Sequence, residues 1–181
     1  MLINDERQGI EEQYGQACTS SNLRCEADKR GPADVLIASG MSNSRIGGAL
    51  RRLRTEFGSD SVPRRHATET DHRLLMGKLK TLPTVLDAVT AQARSWGIDR
   101  PEAVALAVVS HWLDNVCRHC EGRGKQRIKD TPTLSAVNCR HCHGGRVDLS
   151  HGSAGRRVES FIADCINDWS VRTKKLLREM R

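Results

Sequence analysis

Two Cys-x-x-Cys pairs, Cys117-Arg-His-Cys120 and Cys139-Arg-His-Cys142, constrain this chain more than any other feature. Eighteen residues separate them, a spacing typical of zinc sites. Each pair lets two thiolates of one tight turn reach the same ion, and two facing turns complete a tetrahedron. Gly122 and Gly124 follow the first pair and Gly144 and Gly145 the second, where each knuckle needs positive φ to reverse. Four thiolates saturate the ion and leave no position for water. The expected cofactor is therefore one structural Zn2+ held by Cys117, Cys120, Cys139 and Cys142. His119, His141 and His143 are spare, with His143 an alternative to one cysteine. A redox role for either pair is the weaker reading, because no βαβ pattern surrounds it.

The other three cysteines, Cys18, Cys25 and Cys165, are isolated. Seven cysteines without a secretory leader fit a reducing cytosol and metal or free thiols better than a disulfide framework. The start, MLINDERQ, is too acidic for a signal peptide. No apolar run approaches the roughly 18 residues of a membrane span, so no membrane partner is expected. Aromatic residues make up 3% of the chain, so a core must be built from Leu, Val, Ile and Ala, which favours helices.

The net charge of +7 is unevenly placed. Residues 1–114 carry fifteen basic and fifteen acidic side chains, and the whole excess lies in 115–181. A neutral body followed by a basic last third suits a scaffold joined to a polyanion-contacting part. A solubilising charged face gives the same pattern.

Residues 1–31 are polar without a sustained apolar period and read as a flexible arm. Residues 32–116 read as a helical body. Val35, Leu36, Ile37, Ile46, Leu50, Leu53 and Phe57 suit two short helices interrupted near residues 40–43. Ser59 to Thr68 reads as a linker. Leu75, Leu79, Leu82, Leu86, Val89, Ala93 and Trp96 then recur on one helical face, with Pro83 kinking that helix or beginning a second. Asp99 is placed to cap a helix starting at Pro101 and running to about Val116. Val104, Leu106, Val108, Val109, Trp112 and Leu113 make it the expected central buried element, with His111 a boundary histidine. Residues 117–146 form the zinc module, whose Arg123, Lys125, Arg127 and Lys129 alternate along a short β-hairpin arm able to lie along phosphates.

In residues 147–181, Val158, Phe161, Ile162 and Cys165 mark one helical face, with Ser153 a possible cap. Asn167-Asp168 reads as a tight turn into a last helix. There Trp169, Thr173, Leu176, Leu177 and Met180 fall on one side and Arg172, Lys174, Lys175 and Arg178 on the other. This is the layout of a helix-turn-helix packed on the helical body. It assigns Ser170, Arg172, Thr173, Lys174, Lys175 and Arg178 to DNA, with Arg156, Arg157 and the hairpin residues as phosphate contacts. The fold class is accordingly mainly α: a helical bundle with an inserted four-cysteine zinc module and a C-terminal helix-turn-helix.

Several segments carry a resemblance in order along the chain: ADVLIASGMSNSRIGGAL, then EAVALAVVSHWLDNVCRHC leading into the CRHCEGRG knuckle, CRHCHGG, and Gly155 to Leu177 with the Trp169-Ser170 pair. Together they resemble the Q antitermination proteins of lambdoid bacteriophages, in particular the lambda-type branch, from about Pro32 nearly to the end. The chain departs from that pattern at Arg146, where the second knuckle would end in glycine, and in a shorter turn before Asp168 and a shorter tail. The resemblance implies a non-enzymatic factor in the bacterial host cytoplasm. It would bind double-stranded DNA at a late promoter, load onto paused RNA polymerase holoenzyme and promote read-through of pauses and terminators. A helical polymerase-facing surface, with residues 33–57 a candidate, is part of that expectation.

Two other readings fit the same residues. One is an operator-binding regulator that never travels with polymerase. The other is a DnaJ-like zinc-knuckle module that binds proteins, although such regions carry four knuckles and β-rich flanks. An enzyme is disfavoured, because no nucleophile motif, no phosphate loop and no paired carboxylates near a plausible open metal are evident, and no small-molecule substrate is expected.

Overall fold

The computed structural model describes residues 9–25, 29–44, 46–59, 76–128, 131 and 133–180. It is mainly helical with one small hairpin. The elements are α1 (Ile10–Thr19), α2 (Pro32–Met41), α3 (Gly47–Ser59), α4 (Leu82–Ser95), α5 (Pro101–Leu113), β1 (Lys125–Arg127), β2 (Leu134–Asn138) and α6 (Gly152–Glu179). They fall into two compact units, residues 1–55 with 161–181 and residues 56–160. The expected linker from residue 60 onward, Leu75 and Lys129 lie outside the described residues, as do the first eight residues of the expected arm.

In the first unit, α1 packs on α2, and Ile10, Tyr14, Ala17, Val35, Ala38, Trp169 and Leu177 form one buried cluster. Trp169 is fully buried, meets the Tyr14 ring edge-on with centroids 5.4 Å apart, and donates its indole N–H to Ser39 Oγ at 3.1 Å. Arg51 binds Glu11 at 2.6 Å and lies over the Trp169 ring at 5.7 Å. Part of the expected arm is thus a packed helix. Three apolar residues at spacings of four and three are too few to announce themselves, but Trp169, far along the chain, gives them something to pack on. The break between α2 and α3 falls where the sequence places it, with Asn43 in the left-handed region at φ 47°.

In the second unit, Pro83 lies in the first turn of α4 and begins a helix rather than kinking one. A short helical segment, 76–78, precedes it. Leu82, Val85, Val89 and Ala93 form the buried face of α4, and α4 packs on α5. On α5 the buried residues are Val104, Ala105, Val108, Val109 and Leu113, while Leu106 is exposed. The helix ends at Leu113, before the expected Val116. Asp99 does not cap it: Arg100 takes the N-cap position at φ 47°, with no side-chain cap hydrogen bond. The α5 backbone leads directly into the first knuckle. His111 hydrogen-bonds the Val147 carbonyl at 2.9 Å, as a satisfied boundary histidine should.

The expected helix-turn-helix is replaced by one continuous helix. Gly152–Glu179 is a single α-helix of 28 residues, and Asn167 and Asp168 are helical within it. The buried positions Val158, Ile162, Trp169, Thr173 and Leu177 recur at spacings of four and seven, one and two helical turns, so one unbroken stripe is covered. Asn and Asp lower helix propensity by less than about 1 kcal/mol each, which that burial outweighs. Asp168 also accepts a hydrogen bond from Arg172 one turn on, at 2.8 Å. Gly152 is already helical, so Ser153 lies within the first turn and not at the cap.

Candidate metal centre

The two knuckles are built by local turn chemistry. In the first, the Gly122 amide donates to the Cys117 carbonyl at 3.1 Å and the Arg123 amide to the Cys120 carbonyl at 3.0 Å. The Gly124 amide donates to Cys120 Sγ at 3.3 Å. Gly122, Gly124, Gly144 and Gly145 all have positive φ, at 80°, 71°, 60° and 95°, as the reversals require. Cross-links join the knuckles: the Cys117 amide donates to the Gly145 carbonyl at 2.8 Å, and the Cys139 amide to the Gly124 carbonyl at 2.8 Å. Between them β1 and β2 pair antiparallel, Lys125 opposite Asn138 and Arg127 opposite Leu134, with a register irregularity between the two.

This framework gathers the four predicted sulfurs within 4.8 Å of one another. Cys117, Cys120 and Cys139 are buried and Cys142 is half-buried. Sγ separations are 4.0 Å for Cys117–Cys139 and 3.5 Å for Cys120–Cys142. A tetrahedron with metal–sulfur bonds of roughly 2.3 Å has sulfur–sulfur edges of about 3.8 Å. The cluster is therefore of the right size for one ion and too open for disulfides, and all of these cysteines are free. The donor set, four soft thiolates in a closed shell, suits a structural ion.

As free thiols, Cys120 and Cys142 are shifted in opposite directions. Burial opposes ionisation of Cys120, but the Gly124 amide and the neighbouring thiols bring it down to about 7. Burial and the same thiols push Cys142 up to about 12, against the Gly145 amide. A bound cation would remove that conflict by stabilising every thiolate. His143 is engaged elsewhere, its Nδ1 2.8 Å from Asp148 Oδ2, and the group of ligand atoms contains only the four sulfurs. The other two spare histidines, His119 and His141, stack on each other with ring centroids 3.7 Å apart, an arrangement that the repeated Arg-His of the two knuckles hints at without specifying.

The residues assigned to DNA separate into two sets. Arg156, Arg172, Lys174, Lys175 and Arg178 are exposed on α6, and Arg123 and Lys125 are exposed at the hairpin. Of these, Arg172 is paired with Asp168 and Arg123 with Glu121 at 2.8 Å, and Lys175 lies 3.8 Å from Glu179. Arg157 is exposed but stacks over the Trp96 ring at 4.4 Å. Arg127 is placed only by its backbone in β1.

Ser170 and Thr173 do not belong to a surface. Thr173 is fully buried and Ser170 nearly so, and neither hydroxyl has a hydrogen-bond partner among the described residues. Their assignment to DNA followed from the turn at Asn167-Asp168, and it goes with that turn. No protein-family model, curated protein or solved structure matches the chain. Among the described residues, no helix is long and apolar enough to cross a membrane.

Proposed function

We propose that this chain is a zinc-stapled, DNA-binding transcription factor acting as a phage late-gene antiterminator. In this role it would bind DNA within a late promoter, load onto bacterial RNA polymerase paused nearby and promote read-through of pauses and terminators. The observation that carries the DNA-binding part is the confinement of all excess positive charge to residues 115–181, which comprise the four-cysteine module and α6. There Arg156, Lys174, Lys175, Arg178 and Lys125 are exposed, and Lys and Arg side chains so placed neutralise phosphates with release of counterions. The polymerase step rests on the resemblance to the lambdoid Q proteins.

In this reading the metal has no chemistry to perform beyond holding two turns together. It fixes the hairpin, while DNA contact by α6 is made through an exposed helix face instead of through a separate recognition helix. Binding near the paused enzyme raises the factor's local concentration, so that a weak protein contact suffices.

The test is transcription in vitro with bacterial RNA polymerase from the phage's own late promoter, with a terminator downstream. Added protein should increase read-through only when the promoter-region DNA is intact. Binding to that DNA with no change in read-through would make the protein an operator regulator and end the antitermination reading.

A further inference from the structure

Each metal-binding turn has the same sequence, Cys-Arg-His-Cys. The two histidines, His119 and His141, lie nearly parallel, with planes inclined by 18° and centroids 3.7 Å apart. They are not ligands, since the four sulfurs alone make up the group of metal-binding atoms. Both residues are exposed, and because the inner faces cover each other, that exposure lies on the outer faces and edges. Two imidazoles in water gain little by pairing, so the stack is held by the backbone of the two knuckles. Arg118 and Arg140 precede the histidines and are exposed as well. The two turns thus present a planar stack together with the guanidinium charge of Arg118 and Arg140.

We propose that the stacked His119–His141 pair is a platform on which an unpaired nucleobase docks, extending the stack by one ring, with Arg118 and Arg140 beside it to take the flanking phosphates. Proteins hold unpaired strands in this way, through aromatic faces for the bases and cations for the backbone. Bases inside a duplex have both faces covered, so the platform selects melted or single-stranded nucleic acid. The inference rests on the nucleic-acid reading above and adds a second, distinct contact to it. Its ligand is an unpaired base of a single strand, whether deoxyribose or ribose.

The test uses the full, metal-loaded chain and fluorescent single strands of deoxythymidine or of uridine, each compared with an abasic strand of equal length. The base-bearing strand should bind about 5- to 150-fold more tightly than its abasic counterpart, and the tighter of the two base-bearing strands identifies the natural source. His119→Ala and His141→Ala should abolish that preference, while His119→Phe and His141→Phe retain it, with metal content measured in every variant. Equal affinity of wild type for base-bearing and abasic strands overturns the proposal, as does a preference that survives the metal-loaded alanine variants. Duplex DNA titrated in parallel separates the two readings. Duplex binding that persists without base preference removes only the platform, whereas loss of all binding to both removes the nucleic-acid reading itself.

Discussion

Gly145 faces the carbonyl oxygen of Gly122 with no room for a β-carbon between them, so the two knuckles meet through bare backbone. The same glycine has φ 95° and accepts the Cys117 amide. Gly145→Ala should therefore cost about 1–3 kcal/mol or more, from strain and displacement together. The measurement is metal retention against a competing chelator, together with thermal melting. A variant that keeps both would mean that the knuckles do not approach as closely as described.

Metal loading should depend on pH with a definite sign. Cys142, pushed up to about 12 as a free thiol, holds its proton at neutral pH and must release it to bind. Affinity then rises with pH by roughly tenfold per unit for each proton displaced. Zinc titration at several pH values should show this slope and one ion per chain, and Cys117→Ser or Cys139→Ser should lose the ion. An affinity independent of pH would contradict four-thiolate ligation.

A proline substitution distinguishes one helix from two. If Asn167 lay in a turn between helices, Asn167→Pro would be tolerated. Inside the continuous α6 it removes a backbone hydrogen bond and clashes with the preceding turn, at a cost of about 3 kcal/mol or more. Circular dichroism melting of this variant should show a marked drop in Tm, and an unchanged Tm would restore the helix-turn-helix.

Thr173 offers a separate check. Its hydroxyl is buried without a partner among the described residues, so Thr173→Val should be neutral or stabilising by about 1 kcal/mol. DNA affinity should stay the same. In contrast, Lys174→Ala and Arg178→Ala should each lower the salt slope of DNA binding by about one. Weakened DNA binding in Thr173→Val would return that residue to the interface.

The four-cysteine cluster was legible because everything that makes it is local: four thiols at fixed spacing, and glycines where each turn reverses. The pairs α2–α3 and α4–α5 were legible for the same reason, through apolar period and Pro83 and Pro101. What was misread depended on distant partners. Ile10, Tyr14 and Ala17 are a helix face only because Trp169 lies against it, some 150 residues away. Asn167-Asp168 looked like a turn in isolation, yet the stripe from Val158 through Trp169 to Leu177 carries the helix across it. In the sequence Thr173 suits both the apolar face and a DNA contact, and the buried stripe to which it belongs decides between them. The His119–His141 stack could have been suspected from the repeated Arg-His within the two knuckles, but nothing in a sequence specifies the distance between two turns.

The hairpin between the knuckles is closed at its base by the four cysteines and is otherwise free to change. Extending a loop costs little, on the order of 0.6 kcal/mol for each doubling of its length, and the connection from β1 to β2 contains none of the four cysteines. An evolving lineage could therefore lengthen, shorten or recharge this connection while Cys117, Cys120, Cys139 and Cys142 stayed fixed. The metal would then act as an anchor for variation, letting related proteins acquire new targets on an unaltered frame.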